Sequence, residues 1–342
     1  MVYNSFLTSC GALIWLGNLI PLWLNHSVPS TAEQQGSELL NRRCPLCGGG
    51  EYKVILSKCG LRVVRCLGCS MVYANPAPVP MASGDYYDNS ATGYYLSEAK
   101  LRSDYADVRF DRELRLFRRH CPSGAVLDVG CSSGGFLNQL KKRFPGDYEV
   151  LGTDVSGSAL DYANSQGIPV TRGNFLELDF GPRQFEAITF WAVLEHLADP
   201  GAFLERAVGL LRTGGRCFVL VPNLRSLAAR CLGEKYRYIY PQHLNYFEPA
   251  TLARLVGKRF RTLETRFMHF NPVVIWQDWR SGGREVSNEE RGLLLARTTR
   301  YKQSAFLGPV RAFYRCAESA LAAFGLADNL VVVLEKPGPE RI

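Results

Sequence analysis

Five short apolar runs, "AVLDV" (125–129), "EVLGTDV" (149–155), "IPVTRGN" (168–174), "FEAITFW" (185–191) and "RCFVLVPN" (216–223), alternate with helical patterns. The first intervening helix carries Phe136, Leu137, Leu140 and Phe144 as an apolar stripe. Lys141, Lys142 and Arg143 fill its last turn, and Pro145-Gly146 stops it. A later one starts at Asp199-Pro200 and ends before Gly214-Gly215, the usual placement of cap, first-turn proline and terminating glycine. Repeated strand–helix units predict an α/β fold: a doubly wound, Rossmann-like parallel sheet with helices on both faces and ligands at the carboxyl ends of its strands. "TLETRFM" (262–268) and "NLVVVLEK" (329–336) supply two more strands, for a seven-stranded sheet.

The turn after the first strand, "LDVGCSSGGF", narrows the ligand. Its glycines are Gly130, Gly134 and Gly135, so the pattern is Asp-x-Gly-x-x-x-Gly. The dinucleotide fingerprint G-x-G-x-x-G has a middle glycine that lets the backbone approach a pyrophosphate, and this turn lacks it. Asp128, at the strand end, would repel a pyrophosphate but attract an ammonium or sulfonium. Asp154 ends the second strand, where such folds place an acid on ribose hydroxyls. The turn therefore suits a cationic nucleoside without phosphate.

These residues resemble the class I S-adenosylmethionine-dependent methyltransferases. "VLDVGCSSGGFL" is similar to their first motif, "GTDVS" to their second-strand acid, "RGNFLEL" to the segment after strand three, "ITFWAVLEHLADP" to the fourth-strand region and "LLRTGGRCFVLVPN" to the turn into strand five. The resemblance implies that Asp128, Gly130 and Gly134 wrap the methionine end of S-adenosylmethionine. Asp154 takes the ribose, Val155 packs on adenine, and Asn174 with Phe175 reads the adenine edge. Cys131 and Trp191 complete the expected cofactor set.

Cys44, Cys47, Cys66 and Cys69 form a Cys-x₂-Cys-x₁₈-Cys-x₂-Cys array, a spacing typical of tetrathiolate zinc. Four thiolates leave no open position, so a Zn²⁺ here is expected to be structural. A small N-terminal zinc ribbon is predicted at 41–75, with Cys59 a bystander. The remaining cysteines lie singly and read as free thiols rather than a disulfide framework. A ribbon followed by "MVYANPAP" and Tyr86-Tyr87 resembles a bacterial branch of small-molecule methyltransferases, associated with glycan, lipid or natural-product acceptors.

A hydroxyl acceptor must lose a proton. Candidate bases are His196 in "VLEHLADP" and His243 in "YIYPQHLNYF"; Glu195 reads as a helix-start carboxylate. The net charge of +8 keeps RNA open as an alternative acceptor, as in zinc-ribbon ribosomal-RNA guanine methyltransferases. The Asn/Asp-Pro-Pro-aromatic motif of base-amino methyltransferases is replaced by "FWAVLEH", which makes nucleic acid the weaker alternative. A third reading is a non-catalytic protein that binds the cofactor and docks a partner.

Residues 1–40 comprise an uncharged run, 6–24, and a polar linker. The run is read as a membrane-associating segment, an upstream extension or a signal. Residues 76–120 form a Tyr-rich connector and a helix, which could act as a lid. The methyltransferase domain spans 121–336, with a helical insertion at about 280–327. Its basic amphipathic character fits either a cap over the acceptor or peripheral contact with an anionic membrane. The expected location is cytoplasmic, with contact at the inner membrane face in the second case.

Overall fold

The computed structural model describes residues 38–338, apart from 59, 90–91, 285 and 304–307. The apolar run at 6–24 lies outside the described residues. Among those described, no helix is long and apolar enough to cross a membrane.

Near the N-terminus, β1 (Leu39–Leu40), β2 (Tyr52–Lys58), β3 (Leu61–Cys66), β4 (Val72–Ala74) and β5 (Ala77–Pro78) precede the helical connector. The large sheet then uses β6 (Gly124–Val129), β7 (Tyr148–Asp154), β8 (Val170–Arg172), β9 (Phe185–Trp191) and β10 (Leu211–Pro222). After the two-residue β11 (Asn245–Tyr246) come β12 (Arg261–Met268) and β13 (Asn329–Glu335). The strand order is β12-β13-β10-β9-β6-β7-β8, with β13 antiparallel to both neighbours. The seven strands expected from the sequence thus form one sheet.

Side chains alternate across the sheet with the two-residue period of a strand. Leu127, Ile188, Val219 and Val332 enter one core cluster; Val126, Ala187, Phe218 and Val331 enter the other. Both faces are buried, which explains why the strands read as continuous apolar runs. The helix after β6 spans Gly135–Arg143. Asp199 caps Pro200–Leu210, its carboxylate accepting the Ala202 N–H at 3.0 Å.

The ribbon strands are not a separate body. β4 pairs with β11, giving a four-stranded sheet β11-β4-β3-β2, and Cys44, Cys66, Cys69, Met71 and Tyr73 share a core cluster with Leu127 and Phe190. The stretch "LRSDYADVRFDRELRLFRRH", which reads as one helix, is two: Glu98–Asp104 and Asp111–His120. Phe110, at φ 57°, breaks it, and its ring packs edge-on to Phe136. After β12 come helices Pro272–Arg280, Asn288–Gln303 and Gly308–Ala323, the last two within the predicted insertion.

Candidate active site

The glycine turn sits at the carboxyl end of β6. Gly130 has φ 73°, and a Cβ there would lie 2.7 Å from a Val193 methyl; Gly134 has φ 77°. Ser132, though not glycine, holds φ 50°. Its N–H donates to Asp154 Oδ2 at 2.8 Å, while Ser156 N–H donates to Oδ1 at 3.0 Å. The second-strand acid therefore ties the glycine turn to its own turn. Asp128 is 3% exposed, and its one hydrogen-bond partner is the Thr189 hydroxyl at 2.6 Å. Burial pushes its carboxyl up to about 7, so a cation placed beside it would restore its charge. Val155 follows Asp154, partly buried. Trp191, at the end of β9, packs against Phe136 with ring centroids 5.1 Å apart, and its indole N–H is buried without a partner.

The side chains of three further residues of the expected cofactor set make contacts within the protein. Cys131 lies beneath the turn, where a Cβ on Gly152 would meet its sulfur at 2.6 Å. Asn174 closes its own turn: Oδ1 accepts the Leu176 N–H at 3.1 Å, and Nδ2 donates to Glu177 Oε1 at 2.8 Å. Phe175 is buried among Phe180, Phe190 and Phe203. Cys131 and Phe175 can reach a ligand only through their backbone, because packing took their side chains.

Beyond β9 the chain makes a 3₁₀ turn, Leu194–His196. His196 Nδ1 lies 2.8 Å from Gln242 O and 2.7 Å from the Tyr87 hydroxyl. A carbonyl can only accept, so Nδ1 carries the proton and Nε2 keeps its lone pair. His243 packs edge-on to His196 at 4.7 Å and parallel to Tyr238 at 5.9 Å. Burial pushes His196 down to about 4 and His243 well below its usual value, so both rings are neutral. Glu195 is 1% exposed with Oε2 unpartnered, and burial raises its carboxyl to about 8. It is a helix-start carboxylate, as its sequence position suggests, and a buried one. Glu195, His196 and His243 bring a carboxylate oxygen and two imidazole nitrogens within 4.8 Å of one another, a set that could share a proton or hold a divalent cation.

Residues 101–259 match the family model described as a methyltransferase domain, and that stretch contains the whole cradle just described. It is a class I S-adenosylmethionine-dependent methyltransferase domain. A ubiquinone biosynthesis O-methyltransferase of Caulobacter vibrioides is 29% identical over 191 residues, or 48% of this chain and 73% of that protein. A protein of the same description from Caulobacter sp. is 33% identical over 129 residues, 34% and 49% of the two chains. A SAM-dependent methyltransferase of known structure from Thermotoga maritima aligns over 69% of this chain and 91% of its own at 17% identity, with TM-score 0.45.

The connector lies across the cradle of the methyltransferase domain. Tyr105 donates to Ser133 O at 2.5 Å, and Asp88 accepts the Gly157 N–H at 3.1 Å and pairs with Arg172 at 2.7 Å. Burial pushes the Tyr95 hydroxyl well above its usual value, and the nearby Tyr240 and Asp154 add to the shift.

The thiols also converge. Cys44 and Cys69 sulfurs are 3.3 Å apart, Cys47 and Cys66 sulfurs 3.6 Å, and all four lie within 4.8 Å of one another. A tetrahedral zinc with Zn–S bonds of ~2.3 Å sets sulfurs about 3.8 Å apart, so the donor set fits. None of the nine cysteines described forms a disulfide.

Proposed function

We propose that this chain transfers a methyl group from S-adenosylmethionine to a hydroxyl of a small-molecule acceptor, held between the connector tyrosines and the His196–His243 pair. When bound, S-adenosylmethionine supplies an electrophilic methyl group on a sulfonium. Asp128 with the Gly130–Gly134 turn would hold its methionine end, and Asp154 its ribose diol through charge-assisted hydrogen bonds. The buried Trp191 N–H has no partner among the described residues and is free to meet the ligand. The connector excludes water.

The observation that carries the assignment of O-methylation is the fixed tautomer of His196. The Gln242 carbonyl holds the proton on Nδ1, which leaves Nε2 a ready acceptor at neutral pH. We assign Nε2 the hydroxyl proton as the new C–O bond forms. His243 packs against it and sets its orientation. The O-methyltransferase relatives named above support the same reading. Four thiolates at residues 44, 47, 66 and 69 are proposed to hold one structural Zn²⁺.

The test is a calorimetric titration with S-adenosylhomocysteine, followed by an acceptor screen of phenols, sugars and RNA. The intact chain should bind the nucleoside, and Asp154→Ala should weaken binding by about tenfold or more. Methylation should occur on oxygen and fall by about 10²–10⁴-fold in His196→Gln. Binding unaffected by Asp154→Ala, or product formed only on RNA, would overturn the reading.

A further inference from the structure

Among the described residues, Arg291 is a cation without an anion. It lies on the helix Asn288–Gln303, which seats on the connector where Gly292 would bring a Cβ to 3.4 Å from Ser97 Oγ and 3.5 Å from Ala99 Cβ. That close approach slides the guanidinium between two rings, 4.8 Å from the Tyr94 centroid and 4.9 Å from that of Tyr240. Its one side-chain hydrogen bond goes to the Tyr240 hydroxyl at 3.1 Å. A guanidinium has five donors.

Two other partly buried arginines show how this protein ordinarily satisfies such a group. Arg237 meets Asp278 through Nε at 2.8 Å and through its backbone N–H at 2.9 Å. Arg42 has no acid but spends its donors on Leu244 O, Ala198 O and Asn245 Oδ1. Arg291 has neither solution: among the described residues no carboxylate pairs with it. Two aromatic faces stabilise its charge and hold its plane, yet leave most of its N–H groups unused.

Its location matters as much as its chemistry. Tyr240 packs on His243 with centroids 4.3 Å apart, and His243 packs on His196. Burial is the main cause that lowers the proton affinity of both histidines, and the charge of Arg291 adds to it. The guanidinium thus belongs to the same chamber as the proposed base.

We propose that Arg291 is the specificity residue of this chamber, and that the acceptor carries a carboxylate or phosphate group which docks on the guanidinium between Tyr94 and Tyr240. The inference rests on the methyl-transfer reading and narrows it to anionic hydroxy compounds. Arg presents a planar fork that either oxyanion can engage through two parallel N–H bonds. Held there, the anionic end fixes the molecule and leaves its hydroxyl to His196.

The full chain, saturated with S-adenosylhomocysteine, should be titrated with benzoate, phenyl phosphate and benzyl alcohol, three probes that share a ring and differ in charge. At least one anion should bind about tenfold or more tightly than the alcohol. Arg291→Gln should erase that preference, and Arg291→Lys should keep only part of it, since a point charge replaces the fork. The two anions separate a carboxylate site from a phosphate site. A wild-type protein that treats all three probes alike, or a preference that survives Arg291→Gln, overturns the proposal. An arginine serving only as a strut would leave the anion-to-alcohol ratio unchanged. Should Arg291→Gln lose S-adenosylhomocysteine binding and so be judged misfolded, Arg291→Lys decides: an undiminished ratio refutes the assignment. A wild-type chain that ignores S-adenosylhomocysteine sinks the methyl-transfer reading, whereas one that binds it but not the anions sinks only this inference.

Discussion

Replacing Glu195 with Gln should make the protein more stable at neutral and alkaline pH, and the gain should depend on pH in a defined way. The carboxyl is enclosed, with one oxygen unpartnered, and burial raises its folded pKa from 4.5 to about 8. Below the unfolded value both states are protonated, so the acid costs nothing. As pH rises from 4.5 towards 8, the unfolded chain ionises while the folded chain does not, and folding is disfavoured progressively. Above the folded value both states are ionised and the penalty is constant. At about 1.4 kcal/mol for each pH unit in that window, the full penalty is on the order of 4–5 kcal/mol, with roughly 2 kcal/mol already present near pH 6. Gln has the same shape and no such titration. Urea unfolding of both proteins at pH 4, 6, 8 and 9, without ligand, measures the difference, and the shared titrations of all other groups cancel in it. A difference that stays flat across this range, or that favours wild type more strongly as pH rises, would refute the argument that Glu195 is held neutral by burial.

Other expectations concern the turn, the base and the thiols. Gly130→Ala combines a left-handed backbone with a contact to Val193, so it should cost roughly 2–4 kcal/mol in urea unfolding and weaken S-adenosylhomocysteine binding. With His196 lowered to about 4, kcat at saturating S-adenosylmethionine and acceptor should not fall between pH 7 and pH 5; an acid limb near 6.5 in kcat would contradict a base of this kind. Metal analysis should find one zinc per chain. Cys66→Ser should reduce that content and lower the melting temperature, whereas unchanged zinc and Tm would argue against a structural tetrathiolate site.

What the sequence made legible was local. Asp128, Gly130, Gly134 and Asp154 stand at strand ends separated by short turns, so their spacing fixes their geometry almost without tertiary help. The cysteine array behaves the same way, because a four-thiolate cluster demands two short Cys-x₂-Cys turns. Side-chain direction was harder to read. The ring of Phe175 packs on three phenylalanines of neighbouring elements, and the amide of Asn174 bonds within its own turn; neither contact is readable from spacing. Glu195 is the helix-start acid that the sequence suggests, but its burial depends on distant segments such as Leu244, forty-nine positions on, whose N–H donates to the Glu195 carbonyl. Arg291 could not be singled out among the basic residues of the insertion. Its meaning depends on Tyr94, nearly two hundred residues earlier, and on a helix-to-connector contact set by Gly292.

The pairing of β4 with β11 joins the cysteine module to the two histidines. β11 begins two residues after His243, and Asn245 bonds to Leu194 O and Leu197 O on either side of His196. Arg42, just before the first cysteine, fastens the same two loops from below. The cysteine module is therefore built into the wall beside His196 and is not an appendage. On the reading proposed above, a chain trimmed to its glycine-turn half should still bind S-adenosylhomocysteine and fail to methylate any acceptor.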